Sequence, residues 1–121
     1  MSNTNIATGK WGEHVAESFL KARSLTIIGR NVRTKYGEID LIAQKDQMII
    51  FFEVKTRSNL SFGKPEEAIT EKKLEHMLQS AEAYIQENAL EQLDWRIDVI
   101  AIIGSPNKIN PEIRWFENVA C

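Results

Sequence analysis

Asp40, Glu53 and Lys55 are charged side chains set inside or beside long apolar runs, where plain core strands carry none. The runs 37–43 and 48–55 are rich in β-branched and aromatic residues, and polar Gln44-Lys45-Asp46-Gln47 separates them. This pattern predicts two antiparallel strands joined by a tight hairpin. Alternate residues of a strand share a face, so Glu38 and Asp40 are expected on one side and Ile39 and Leu41 on the other. On the second strand, Glu53 and Lys55 go with Ile49 and Phe51, opposite Phe52 and Val54. A turn at Lys45-Asp46 makes Asp40 and Glu53 diagonal neighbours, roughly 7–8 Å apart. A turn at Asp46-Gln47 sets them directly opposite, about 5 Å apart between Cβ atoms. Either register gathers two carboxylates and an amine on one face. Two like charges at that range call for a proton or a cation, and Mg²⁺ takes oxygen ligands of this kind together with substrate phosphate. A solvated face on which the acids pair with Lys55, Arg57 or Lys35 is the plainer alternative that spacing leaves open.

The elements that must position these residues follow from periodicity. Residues 10–23 read as a helix with Trp11, Val15, Ala16, Phe19 and Leu20 on one side. Glu13 borders that apolar arc and is the acid able to lean from the helix toward the sheet. Residues 25–28 form a first strand, with Gly29 allowing a bulge before 30–33. Arg33 and Lys35 lead into the hairpin, a loop over 56–64 follows it, and Arg57 and Lys64 flank the expected mouth. Pro65 is placed as the first residue of a long helix, with Glu66-Glu67 at its positive end. Ala68, Leu74, Met77, Leu78, Ala81, Tyr84 and Ile85 then recur at helical spacing, while Lys72 and Lys73 face away from that stripe as solubilising charges. A strand over 95–103 has Arg96 and Asp98 on one face, and 113–116 makes a short edge strand. This order predicts an α/β fold, a central mixed β-sheet flanked by helices.

The 121 residues suit one domain, 1–121, with 43% hydrophobic and 26% charged residues as in an ordinary globular protein. No apolar run reaches the ~20 residues of a membrane span, and residues 1–5 lack the features of a signal peptide. The single cysteine, Cys121, excludes an internal disulfide and a cysteine zinc site. A cytoplasmic location and no membrane partner are therefore expected. The formal charge of −2 argues against a nucleic-acid coat protein, but it is unevenly spread, with residues 30–73 carrying a net +2. That permits a phosphate ligand without demanding one.

Gly12-Glu13 with Ala16, Asn31-x-Arg33, Gly37-Glu38-Ile39-Asp40-Leu41-Ile42-Ala43, Glu53-Val54-Lys55-x-Arg57, Phe62-Gly63 and Arg96-x-Asp98-Val99 together resemble the small bacterial YraN-like family, over about residues 9–103. That family is similar to the restriction-endonuclease-like, PD-(D/E)XK nucleases, including Holliday-junction resolvases. The resemblance implies a restriction-endonuclease-like three-layer α/β/α domain and a Mg²⁺- or Mn²⁺-dependent DNA endonuclease. In it Asp40, Glu53 and Lys55 are the catalytic triad, and Asp40, Glu53, the Val54 carbonyl and Glu13 hold the metal. Arg33, Lys35, Arg57, Lys64 and Lys72 are the cations that would meet DNA. Ile39 stands where the motif has proline. The substrate class that follows is branched or damaged DNA, and a homodimer is left open. Two rivals stand beside this reading. One is a non-catalytic nucleic-acid-binding or complex-assembly module that keeps the nuclease fold. The other is a structural protein whose buried acids pair with Arg33, Arg57 and Arg96.

Overall fold

The computed structural model describes residues 2–61, 63–107 and 110–120, with side chains from Thr8 onward. Phe62 and Cys121 lie outside the described residues. The element order is helix α1 (Ser2–Lys21), strands β1 (Thr26–Thr34), β2 (Gly37–Lys45) and β3 (Met48–Arg57), a 3₁₀ turn (Pro65–Ala68), helix α2 (Glu71–Glu87), and strands β4 (Asp94–Ile103) and β5 (Glu112–Phe116). The strands form one sheet in the order β1-β2-β3-β4-β5. Only β3 and β4 run parallel, with α2 between them in the chain. Those two strands are buried along most of their length, as parallel strands covered on both faces must be.

Each helix covers one face. Ala16 and Leu20 of α1 pack with Leu41, Ala43, Ile50, Phe52, Ile100 and Ile102. Met77, Ala81 and Ile85 of α2 pack with Ile39, Ile42, Ile49, Phe51 and Ile97. The protein is thus a three-layer α/β/α domain around a mixed sheet. No helix among the described residues is long and apolar enough to cross a membrane.

Three local expectations give way. Pro65 does not open the long helix, because Pro65–Ala68 closes as a separate 3₁₀ turn and Ile69 is extended. Thr70 is the true cap, its Oγ1 accepting the Lys73 N–H at 3.1 Å, with Glu71 in the first turn of α2. Helix α1 begins at Ser2 rather than at residue 10.

The third departure lies beside the site. Strict alternation would put Ile39 and Leu41 on one face, but Ile39 packs on the α2 side and Leu41 on the α1 side. The facing strand shows the cause: the register runs Arg30↔Leu41 and Val32↔Ile39 around Asn31, whose φ is +47°. A left-handed residue, which asparagine tolerates better than most, breaks the pleat opposite Asp40.

Candidate active site

The hairpin settles the register that spacing left open. Lys45 pairs with Met48 and Leu41 with Phe52, so the turn is Asp46-Gln47, with Asp46 at φ +55°. Continuing this register past Leu41–Phe52 brings Asp40 to Glu53. The backbone pairing ends at Leu41–Phe52, and the Asp40 side chain carries the connection on, Oδ2 accepting the Val54 N–H at 2.8 Å. Glu53 is the last fully buried residue of β3, at 5% exposure, and it is flanked in the sheet by Val99 of β4.

Asp40 and Glu53 line one cleft of about 390 Å³ with Gly9, Glu13, Lys55 and Arg57. Helix α1 can come this close because Gly12 has no side chain: a Cβ there would run into Thr56 Oγ1 and its neighbours at the end of β3. The next residue of that helix is Glu13. Its Oε1 accepts a hydrogen bond from Asn31 Nδ2 at 3.3 Å, so the kinked residue of β1 also sets the acid of α1.

The electrostatics of the two acids differ. Burial, then the charge of Glu53, pushes the Asp40 carboxyl up to about 7. The Val54 hydrogen bond pulls the other way, Glu13 raises it further, and Lys73 lowers it. Glu53 is better compensated. Lys55 Nζ lies 3.3 Å from its Oε2, and Lys73 Nζ lies 3.6 Å from its Oε1.

The sequence motif residues Glu13, Asp40, Glu53, Val54, Lys55 and Arg57 are therefore brought to one cleft, while the other expected cations scatter. Arg33 is 89% exposed and 3.9 Å from Glu38, in a second cleft that shares Gly9 and Glu13 with the first. Lys35 lies over the Tyr36 ring in the β1–β2 turn. Lys64 and Lys72 are exposed and line neither cleft. Lys73, taken as a solubilising charge, is the α2 lysine that reaches the acids. Its place in the first turn of α2 is readable from Thr70, but its distance to Glu53 depends on how helix and sheet pack. Asn31 enters the sequence reading only through the family resemblance, though asparagine amid strand residues is itself a signal for a left-handed kink.

Hard oxygen donors that repel each other suit Mg²⁺ or Mn²⁺, and Asp40 and Glu53 answer that description. Among the described residues no three His, Cys, Asp or Glu side chains gather as a ready-made cage, so two carboxylates would leave most positions to water and substrate. This is the usual arrangement for Mg²⁺ at phosphoryl sites.

Residues 12–102 match the family described as "Uncharacterised protein family UPF0102". A UPF0102 protein of Chloroherpeton thalassium is 45% identical over 108 residues, spanning 89% of this chain and 84% of its own length. One from Dichelobacter nodosus is 38% identical over 122 residues, 98% of this chain and 95% of its own. One from Clostridium novyi is 38% identical over 118 residues and spans 98% of both chains. The chain belongs to the UPF0102 family. The match covers α1 from Gly12 through β4 to Ile102, and with it Glu13, Asp40, Glu53 and Lys55. It meets the expectation of a YraN-like protein.

Proposed function

We propose that this UPF0102 protein is a divalent-metal-dependent endonuclease that hydrolyses phosphodiester bonds in DNA, branched or damaged DNA being the substrate class. One observation carries the reading: the buried Glu53 and the half-buried Asp40, on adjacent strands, share an open cleft with Lys55, and burial, then the charge of Glu53, holds the Asp40 carboxyl up to about 7. The pattern of Asp40, Glu53 and Lys55 resembles the PD-(D/E)XK triad, which supports the same conclusion.

In this reading Asp40 and Glu53 would hold Mg²⁺, with the Val54 carbonyl as a further donor. When bound, the metal supplies Lewis acidity to the phosphodiester and lowers the pKa of the attacking water. Lys55, beside Glu53, stabilises charge that builds on the phosphate. Glu13, oriented by Asn31, accepts a hydrogen bond from a water at the cleft's α1 wall. Arg57 at one end and Arg33 in the adjoining cleft give the phosphate backbone a path across the acids. A cytoplasmic location belongs to this proposal as well.

A second reading is favoured by one specific feature. Every acid already has a partner: Asp40 has the Val54 N–H, Glu53 has two ammoniums and Glu13 has Asn31. A nucleic-acid-binding or assembly module without turnover would look the same. Linear, flapped and four-way DNA incubated with Mg²⁺ or Mn²⁺ separates the two. The enzyme reading expects cleavage of at least one substrate, with Asp40→Asn and Lys55→Ala each slowing it about 10²-fold or more. Binding with no cleavage by wild type in either metal would sink it in favour of the module.

A further inference from the structure

We propose that Lys73 is the exchangeable counter-ion of this site: it neutralises Glu53 while no divalent cation is bound, and moves onto the substrate's phosphodiester when one enters. The inference rests on the function proposed above and adds to it a residue outside the motif. Glu53 carries an ammonium on each oxygen, Lys55 at 3.3 Å and Lys73 at 3.6 Å. The two are not equivalent. Lys55 comes from the same strand, and its side chain is 24% exposed. Lys73 comes from another layer, at the first turn of α2, and its side chain is 41% exposed.

Its backbone is pinned by the Thr70 cap, while its four-carbon stem lies partly in water. A fixed root with a loose head is the geometry of a charge that can change partners. The charge of Lys73 also acts on Asp40. A cation that serves both carboxylates stands in the field where a divalent ion shared between them would sit. Two such charges do not occupy that field together, so entry of the metal favours departure of the ammonium. The nearest anionic destination is then a phosphate oxygen, which lysine binds as a point charge. Lys72, the preceding residue, is exposed and makes no ion pair among the described residues, which makes it the matched control.

The test titrates Mn²⁺ into the full chain without DNA, then measures affinity for a short linear duplex in Ca²⁺ at several salt concentrations. Lys73→Met should bind Mn²⁺ roughly tenfold more tightly than wild type, because a competing cation is gone. Lys73→Arg and Lys72→Met should keep a Mn²⁺ affinity close to wild type. On DNA, Lys73→Met should lower the slope of log affinity against log salt by about one. Lys73→Gln repeats both measurements on a side chain of similar polarity. Mn²⁺ affinity that is unchanged or weaker in Lys73→Met and Lys73→Gln overturns the proposal, and so does an unchanged salt slope. If Asp40→Asn abolishes Mn²⁺ binding while the Lys73 variants leave it alone, the metal site stands and only the Lys73 role falls. If wild type binds no Mn²⁺, or Asp40→Asn binds it equally, the proposed function fails and takes the Lys73 role with it.

Discussion

Asp98 and Asp40 are both strand carboxylates withdrawn from water, one on β4 and one on β2, and they are built into their surroundings differently. Asp98 is fully buried and takes hydrogen bonds from Arg96 Nε and Nη2, Trp115 Nε1 and the Asn118 N–H. Those contacts bind the C-terminal strand and the segment after it to the sheet. Asp40 has one donor, the Val54 N–H, and burial, then the charges of Glu53 and Glu13, work against its ionisation. A buried acid that serves structure is given donors for both of its oxygens. An acid left short of donors, beside other acids and open to a cleft, is set up for a ligand that is not part of the chain. Cleft size does not make this distinction. The wider depression, about 570 Å³ beside Met48, Asp94, Trp95 and Arg96, lies at the other end of the strands, and its arginine is committed to Asp98.

The comparison breaks most sharply if Asp98 is removed. Asp98→Ala leaves the Trp115 indole and the Asn118 amide without their acceptor and Arg96 with Glu117 alone. It should cost about 3–5 kcal/mol of stability by denaturant unfolding. A loss below about 1 kcal/mol would mean the network is dispensable and the contrast with Asp40 is only apparent.

Asp40→Asn should act in the opposite direction, and with a pH signature. The folded carboxyl titrates near 7 and the unfolded one near 4, so between those values the native state holds the extra proton. The contribution of Asp40 is fully favourable below about pH 4, and it is lost as pH rises through 7. At pH 8 in EDTA, Asp40→Asn should therefore be more stable than wild type by about 2–4 kcal/mol, a gain that vanishes near pH 4. Asparagine keeps an acceptor for Val54, so the change isolates the charge. Melting curves that differ equally at both pH values would refute the linkage. Mn²⁺ at pH 8 should raise the melting temperature of wild type and leave Asp40→Asn where it was.

Gly12→Ala is the next smaller effect. The methyl gains helix propensity but runs into Thr56, and the net change should be a loss of about 1–2 kcal/mol. Because Glu13 follows directly, any relief by movement of α1 should also weaken Mn²⁺ binding. Thr56→Ala opens the space and should restore part of both. Rescue of neither would mean the helix and strand do not meet at this point.

Much of the cleft's lining is legible in the sequence. The hairpin runs, the acids within them and the polar turn fixed Asp40, Glu53 and Lys55 to one neighbourhood, because strand pairing is a local consequence of sequence. The mixed sheet flanked by helices followed from the order of periodic segments, and the three layers from the family resemblance. What remained hidden depended on contacts between distant elements. Lys73 reaches Glu53 only through the packing of α2 against the sheet. The Asn31 kink changes which side of β2 Ile39 faces, and a single left-handed residue leaves no trace in hydrophobic alternation. The partners of Asp98 come from three places in the chain, and only Arg96 was within reach of a spacing argument. The break after Ala68 escaped because Pro65 and Glu66-Glu67 serve a 3₁₀ turn as well as they serve a helix.

The smallest effect on stability is expected at Arg33, and it sharpens the comparison from the side of the cations. Arg96 and Arg33 each approach an acid, but Arg96 is 3.0 Å from an acid with no exposure, whereas Arg33 is 89% exposed and 3.9 Å from the half-exposed Glu38. A pair that solvent screens so completely contributes little, so Arg33→Ala should change stability by less than about 0.5 kcal/mol. Its charge remains available to a ligand, and it lies in the cleft that continues the acidic site past Gly9 and Glu13. If DNA follows that path, Arg33→Ala should weaken binding of unrelated duplexes by a similar factor and reduce the salt slope by about one. Cleavage at saturating DNA should be nearly unaffected, since Arg33 touches none of the acids thought to hold the metal. A clear fall in stability would place Arg33 with Arg96 among the structural cations. An unchanged salt slope would show that DNA approaches the acids from the Arg57 end instead.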